Sequence, residues 1–308
     1  MSLLVVGTVA FDALETPFGK VERIVGGSAL HFSWSASNFV EPINLVSVVG
    51  SDYDFDEIKA LNARGVDTAG LQVKEGEKSF FWSGRYHMDM NTRDSLITDL
   101  NVLADFDPIL PEAYKNSDFL MLGNLSPVVQ AKVLDQMTSR PRLIAMDTMN
   151  FWMDIQMAEL KEVLKRVDVL FVNDEEARQL SGQHSIVKAA KLILEMGPKY
   201  LIIKKGEHGA LLFQGNEVFF APALPLEDVF DPTGAGDTFA GGFMGHLAAT
   251  KDISFDNMKR AVIFGTAMAS YCVEQFGPNR TKTLEHHEID ERVQDLIDLV
   301  QFDISLVD

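Results

Sequence analysis

The stretch DPTGAGDTFAGGF, residues 231–243, sets an acid, a proline and a threonine before Gly-Ala-Gly-Asp and then runs into small and apolar residues at helical spacing. It predicts a helix that opens at Gly234, Ala235, Gly236 and Asp237. A helix start exposes unpaired N–H groups and the positive end of the dipole, and glycine lets the backbone approach a ligand that a side chain would block. That combination suits an anion, phosphate above all. Asp237 stands inside this anion site, where a carboxylate repels phosphate unless it has a task such as accepting a proton. Gly241, Gly242 and Gly245 fall inside the same helix, each at a cost of about 1 kcal/mol relative to alanine, so something must offset them. The stretch reads as phosphate cradle plus base; the plain alternative is an aspartate that caps the helix.

Working outward, short apolar runs recur between helical patterns: LLVVG at residues 3–7, FLMLGN at 119–124, LIAMD at 143–147, VLFVND at 169–174 and LIIKKG at 201–206. They predict buried parallel strands. The segments PVVQAKVLDQMTSR, EEARQL and SIVKAAKLILEMG between them carry amphipathic helix spacing. Strand alternating with helix implies a doubly wound α/β sheet. The runs close on Gly7, Asn124, Asp147, Asn173 and Lys204. Ligands of open parallel sheets bind beyond the carboxyl ends of the strands, so these positions should line one cleft, Asn124 among them as a candidate substrate contact. Residues 13–27 and 71–100 break the alternation with turn signals and period-two stretches such as FFWSGRYHM, and predict antiparallel strands outside the main sheet.

Acids outnumber bases 45 to 27, for a net charge of −18 and a pI near 4.7. The field disfavours nucleic acid and anionic membranes and points to a small-molecule partner. Local dipoles and a bound cation still allow ATP. The single cysteine, Cys272, lies in an apolar run, as expected of a packed thiol in a reducing compartment. The start MSLLVVGTVAFDAL lacks a basic region and enters a strand at once, and no apolar run reaches bilayer length; the expectation is a cytoplasmic protein. EHHEIDE lacks the second histidine of a zinc helix, and neither a Walker-type glycine loop nor a Gly-x-Ser-x-Gly elbow is present.

The string at 231–243 resembles the carboxyl-terminal signature of the ribokinase-like, or PfkB, family of carbohydrate and nucleoside kinases, and the resemblance covers essentially the whole chain. It implies one ribokinase-like domain over residues 1–308, a mainly parallel sheet flanked by helices, with a small β-strand lid inserted at about 13–27 and 71–100. GTVAFDAL matches the family's opening strand, so Asp12 would accept hydrogen bonds from substrate hydroxyls, a task suited to a two-oxygen acceptor. VGGSALHFSWSA resembles the second signature: Gly26 and Gly27 would pass close to the sugar, and His31 stands where asparagine is usual, either as a substrate contact or as a structural histidine. VNDEEARQL carries Asn173 and Glu176 in the family's Asn-x-x-Glu, associated with Mg2+ and phosphate handling; Glu176 would act on the ion through its water shell. The same pattern also suits an ordinary helix start.

IIKKGEHGALLF resembles the turn beside the nucleotide, with Lys204 where many members carry threonine, and with Gly206 and Gly209 shaping the turn. Thr266, in the last helix of the match, would lie near adenine. The loops around Cys272, Gln275 and Gly277 would join Asp231 and Thr233 at a monovalent-cation site suited to K+, which family members differ in using. Arg85 and Arg93 fall in the lid; either binds an anionic substituent on the acceptor or is simply solvated. The activity implied is ATP-dependent phosphorylation of a hydroxymethyl group on a sugar or sugar-like compound, with Asp237 as base and the Gly234, Ala235 and Gly236 amides holding the phosphoryl oxygens. A nucleoside acceptor stacked on Phe81, Trp82 or Tyr86 is the near alternative, and a catalytically silent sugar-binding regulator the distant one. An exposed lid edge would suit pairing into a homodimer.

Overall fold

The computed structural model describes residues 2–301. Its strands, in chain order, are β1 (Leu3–Val6), β2 (Ala10–Thr16), β3 (Gly19–Gly26), β4 (Ile43–Gly50), β5 (Val66–Lys74), β6 (Phe81–Tyr86), β7 (Arg93–Asp99), β8 (Phe119–Leu122), β9 (Leu143–Asp147), β10 (Val169–Asn173), β11 (Tyr200–Lys204), β12 (Ala210–Gln214) and β13 (Glu217–Ala221). Nine of them form one sheet in the order β13-β12-β11-β10-β9-β8-β1-β4-β5. All its pairings are parallel except those of β12, which runs against β11 and β13.

The central strands are apolar throughout because both faces are covered. Along β1, Leu3 and Val5 enter one core while Leu4 and Val6 enter the other, as a two-residue period requires. Helices Ser28–Ala36, Ala235–Thr250 and Phe255–Cys272 cover the first face, and helices Pro127–Gln136, Met157–Leu164, Asp174–Ser181 and Ile186–Glu195 the second. The fully buried run INLVSVVG of β4 carries the same apolar signature as the five runs picked out in the sequence, but was not among them.

The helix Ala235–Thr250 is clamped from both sides. Phe171 of β10 meets Phe239 and Phe243 edge-on at 6.1 and 5.4 Å between ring centres, contacts worth about 0.5–1.5 kcal/mol each beyond their buried area. A Cβ on Gly241 would stand 2.5 Å from the Phe32 carbonyl oxygen, and one on Gly242 2.9 Å from that of Phe264. The interior glycines therefore serve close helix packing, which offsets their propensity cost; the anion reading needs only the glycines at the helix entrance.

The remaining four strands make a small sheet in the order β3-β2-β6-β7, with β2 and β6 paired in parallel and the outer pairs antiparallel. Its first strand begins at Ala10 and so includes Asp12. Residues 71–74 lie instead in β5, paired with residues 47–50 of β4 in the main sheet. No described helix is long and apolar enough to cross a membrane.

Candidate active site

The sheet order sets Lys204, Asn173 and Asp147 at the carboxyl ends of three adjacent strands, with Asn124 and Gly7 just past the next two. The expected row of strand ends is therefore continuous. Above it begins the helix Ala235–Thr250, entered through Gly234 at φ 76°, a left-handed conformation natural to glycine. The Ala235 N–H donates to the Pro232 carbonyl at 3.2 Å and the Thr238 N–H to that of Gly234 at 2.8 Å, while among the described residues the N–H groups of Gly234 and Gly236 donate to no backbone carbonyl. This corrects the expected trio of amides: Ala235 is spent on closing the turn, and Gly234 and Gly236 keep free donors.

Around that entrance four titratable groups crowd together, Asp147 and Glu176 buried, Lys204 and Asp237 half-buried. Lys204 Nζ donates to Asp147 Oδ2 at 2.8 Å, the two side chains being 19% and 9% exposed. A Cβ on Gly236 would stand 2.7 Å from the same Nζ, so the ammonium lies directly beside the helix entrance. Burial, with the charge of Asp147 behind it, pushes the Asp237 carboxyl up to about 7, against the pull of Lys204 and Arg93. Glu176 is raised to about 7 in the same way. Burial works against the Lys204 charge, yet Asp147, Glu176 and Asp237 together hold its pKa above the ordinary lysine value. One ammonium, with Arg93 acting from the small sheet, thus faces three carboxyl groups, two of them raised to about 7.

Asn173 and Glu176 form a reciprocal cap: the Glu176 N–H donates to Asn173 Oδ1 and the Asn173 N–H to Glu176 Oε2, both at 2.7 Å. The helix-start reading of this motif is correct, and it aims a buried carboxylate at the cluster. Among the described residues no three acidic, histidine or cysteine side chains converge on a metal position, so Glu176 would reach a hydrated ion only through its water shell.

Asp12 lies across the cleft. Its carboxylate occupies the space where a Gly26 side chain would be, 2.0 Å from an ideal Cβ, which is why glycine is needed there. Burial, then the charges of Asp231 and Asp237, raise its carboxyl to about 8. Gly27 caps the helix Ser28–Ala36 at φ 100°. His31, 1% exposed, packs its ring against Gly234, with Nδ1 4.0 Å from Cys272 Sγ and Nε2 without a partner. Burial, then Lys282, lower its pKa to about 4, so a neutral imidazole wedges the turn.

The small sheet presents one face to this cleft. Asp12 lies opposite Trp82 in β6, and Tyr86 opposite Arg93 in β7. The Trp82 ring lies over Gly84, where a Cβ would stand 2.1 Å from it, and Thr233 Oγ1 bonds Tyr86 Oη at 3.0 Å. Phe81 points the other way, into the main core. Arg85 shares that opposite face but lies beyond the core, where its Nε donates to Glu15 Oε1 at 2.8 Å in solvent. Arg85 is therefore no cleft residue; strand alternation turns it outward, and Arg93 is the arginine whose charge reaches Asp237 and Glu176. Asn124 is likewise committed, accepting from Trp152 Nε1 at 2.9 Å and donating to Met149 Sδ at 3.1 Å.

Gly206 (φ 54°) and Gly209 (φ 79°) shape the turn between β11 and β12. Asn91, at the tip of the β6–β7 hairpin, rests against Gly206. Thr266 is buried with its hydroxyl bonded to the Val262 carbonyl at 2.9 Å. The fully buried Asp231 accepts from the Thr233 and Gly277 N–H groups at 2.8 and 2.9 Å, and the Cys272 thiol, raised to about 12 by burial, donates to the Thr233 carbonyl at 3.6 Å. Gln275 is exposed on the adjoining turn. Sequence reasoning missed the Lys204–Asp147 pair and the Tyr86–Thr233 bond; Asp147 ended a predicted strand, but pairing across strands leaves no spacing signal.

Residues 3–284 match the family described as pfkB family carbohydrate kinase. The chain is 30% identical over 248 residues to the cytidine kinase of Thermococcus kodakarensis, covering 79% of this chain and 87% of that protein. It is 24% identical over 304 residues to a nucleoside kinase of Methanothermobacter thermautotrophicus, covering 89% and 90%. Among solved structures, an E. coli protein assigned as ribokinase II, in complex with ATP and Mg2+, superposes with TM-score 0.79 at 23% identity, covering 95% of this chain and 99% of that one. The chain belongs to the pfkB family, has the ribokinase fold, and is an ATP-dependent phosphotransferase acting on a sugar or nucleoside alcohol.

Proposed function

From that membership, we propose that the acceptor is a nucleoside, phosphorylated on its hydroxymethyl group. As the hydroxyl oxygen bonds to the terminal phosphorus of ATP, its proton passes to Asp237, and the bond to the bridging oxygen breaks with its electron pair leaving on ADP. The nucleoside acceptor is supported by the cytidine and nucleoside kinases among the relatives; the observation that carries the transfer step is the half-buried Asp237 carboxyl, raised to about 7, in the first turn of a helix with free amides at Gly234 and Gly236. A general base works best with a pKa near the operating pH, and free amides beside it stabilise charge on the transferring group. Mg2+, when bound, would neutralise phosphate charge, and Glu176, capped by Asn173, is the residue that would hold it through its water shell.

Asp12 orients the acceptor hydroxyls beside Gly26 and Gly27, and His31 holds the turn at Gly234. Trp82, on the Asp12 face, offers a flat surface for a base, and Arg93 adds positive charge above the transfer site. The nucleotide lies along Lys204, Gly206 and Gly209, with Thr266 toward adenine. A monovalent cation would sit at the Asp231, Thr233, Cys272, Gln275 and Gly277 loops, a reading supported by the bonds that draw all but Gln275 together. The single domain uses its small sheet as a lid, and the wholly exposed strand β7 is the edge for pairing two copies. A buried free thiol at Cys272 supports a reducing, cytoplasmic setting.

The test is ADP release over panels of nucleosides, sugars and sugar phosphates, with Mg2+ and either K+ or Na+. Turnover with nucleosides at a kcat/KM at least tenfold above any sugar is expected. Preference for a free sugar would return the acceptor to that class; no turnover on any panel would favour the silent regulator.

A further inference from the structure

We propose that Lys204 is a catalytic residue: its ammonium, anchored by Asp147, donates to a non-bridging oxygen of the terminal phosphoryl group of ATP while that group is transferred. The inference rests on Asp237 being the base, since the transferred group must lie beside it.

Geometry carries the argument. The ammonium is not on the outer, solvated side of the nucleotide turn but beside Gly236, so close that any side chain at 236 would strike it at 2.7 Å. Gly236 also carries a free N–H. Two donors of different kinds therefore stand together at a helix entrance next to Asp237. An ammonium has three N–H donors; one is used on Asp147 at 2.8 Å, and among the described residues no other acceptor is bonded to it. The remaining donors are available to an oxygen anion.

A purely structural pair is the rival account. It explains why Lys204 neutralises Asp147, but not why the pair sits among two further raised carboxylates, Glu176 and Asp237, where burying charge is most costly. A phosphoryl group arriving there brings negative charge to the one place where a cation and a free amide converge. In the transfer, the ammonium keeps all its protons; the oxygen–phosphorus bond to the acceptor forms, the bond to ADP breaks, and Lys204 follows the phosphoryl oxygen from donor to acceptor. Asp147 never touches the phosphate and acts as a positioning residue.

The experiment measures binding without acceptor and without magnesium, by calorimetry with ADP and with a non-hydrolysable ATP analogue. Wild type is compared with Lys204→Arg, Lys204→Met, and the double variant Lys204→Met/Asp147→Asn, which removes the Asp147 charge that the single variant would strand and so guards against misfolding. Loss of Lys204 should weaken the ATP analogue roughly ten- to a hundredfold, as expected for a charge-assisted bond, and leave ADP nearly unchanged; arginine should retain part of the difference. Equal weakening of both nucleotides, or none, in the folded double variant overturns the proposal. Because acceptor is absent, the result is independent of which acceptor the protein uses. Should Asp237→Asn retain near-normal turnover, the base assignment fails separately.

Discussion

Two ion pairs of the same chemistry show how differently the two parts of this molecule treat charge. At the edge of the main sheet, Lys204 and Asp147 are 19% and 9% exposed, while on the small sheet Arg85 and Glu15 are 51% and 39% exposed. The first pair lost its water on folding and lies among carboxylates that burial raises. The second keeps its water, as does His87 with Asp94, 48% and 57% exposed. A solvated pair contributes little because water already satisfies both partners, whereas a desolvated one is costly to break. Charge in the small sheet is therefore mostly surface, and charge at the main-sheet edge is where chemistry is to be sought. Asp12 and Arg93 are the exceptions on the small sheet: Asp12 is buried, and the charge of the exposed Arg93 is felt across the cleft.

The sharpest way to break this contrast is at the base. Asp237→Asn should lower turnover by about 10²–10⁴, the usual contribution of a positioned base, while thermal unfolding and ATP binding stay close to wild type; steady-state kinetics with the best acceptor would read it. Next comes stability. Lys204→Met alone should destabilise the protein by about 3–5 kcal/mol in urea unfolding, because it strands a buried carboxylate, and adding Asp147→Asn should recover most of that loss.

The third test uses pH. Asp12 is raised from 3.8 to about 8, so the folded protein holds a proton that the unfolded chain releases. Its contribution to stability is complete below the ordinary aspartate value and disappears as pH rises through about 8. Asp12→Asn should therefore melt well above wild type at pH 8.5, with the gap narrowing steadily as pH falls and closing only near pH 4; a constant difference across that range would contradict the assigned shift. The smallest effect belongs to Arg85→Ala, which should change stability by no more than about 1 kcal/mol and leave acceptor KM unaltered. A large rise in KM would put Arg85 back in the cleft.

Much of this was legible before any coordinates. Alternating strands and helices gave the parallel sheet, because strands covered on both faces must be apolar throughout, and the residues that ended those runs marked the cleft. Gly-Ala-Gly-Asp announced the helix entrance, because few other needs put glycines and an acid at a helix start. The sequence was less informative where partners come from distant segments. Strand alternation in β6 turned Arg85 outward, and the Pro232 carbonyl claimed the Ala235 amide, neither of which a motif records.

By itself the chain determined its fold class, the position of the carboxyl-edge cleft and the candidacy of Asp237, since these follow from local periodicity and backbone chemistry. Only the tertiary structure decided that Lys204 stands beside Gly236, that Asp12 fills the space over Gly26, and that Tyr86 bonds Thr233 across 147 positions of sequence. Those contacts depend on which strands become neighbours and how far they are shielded from water, and burial is a property of the assembled molecule.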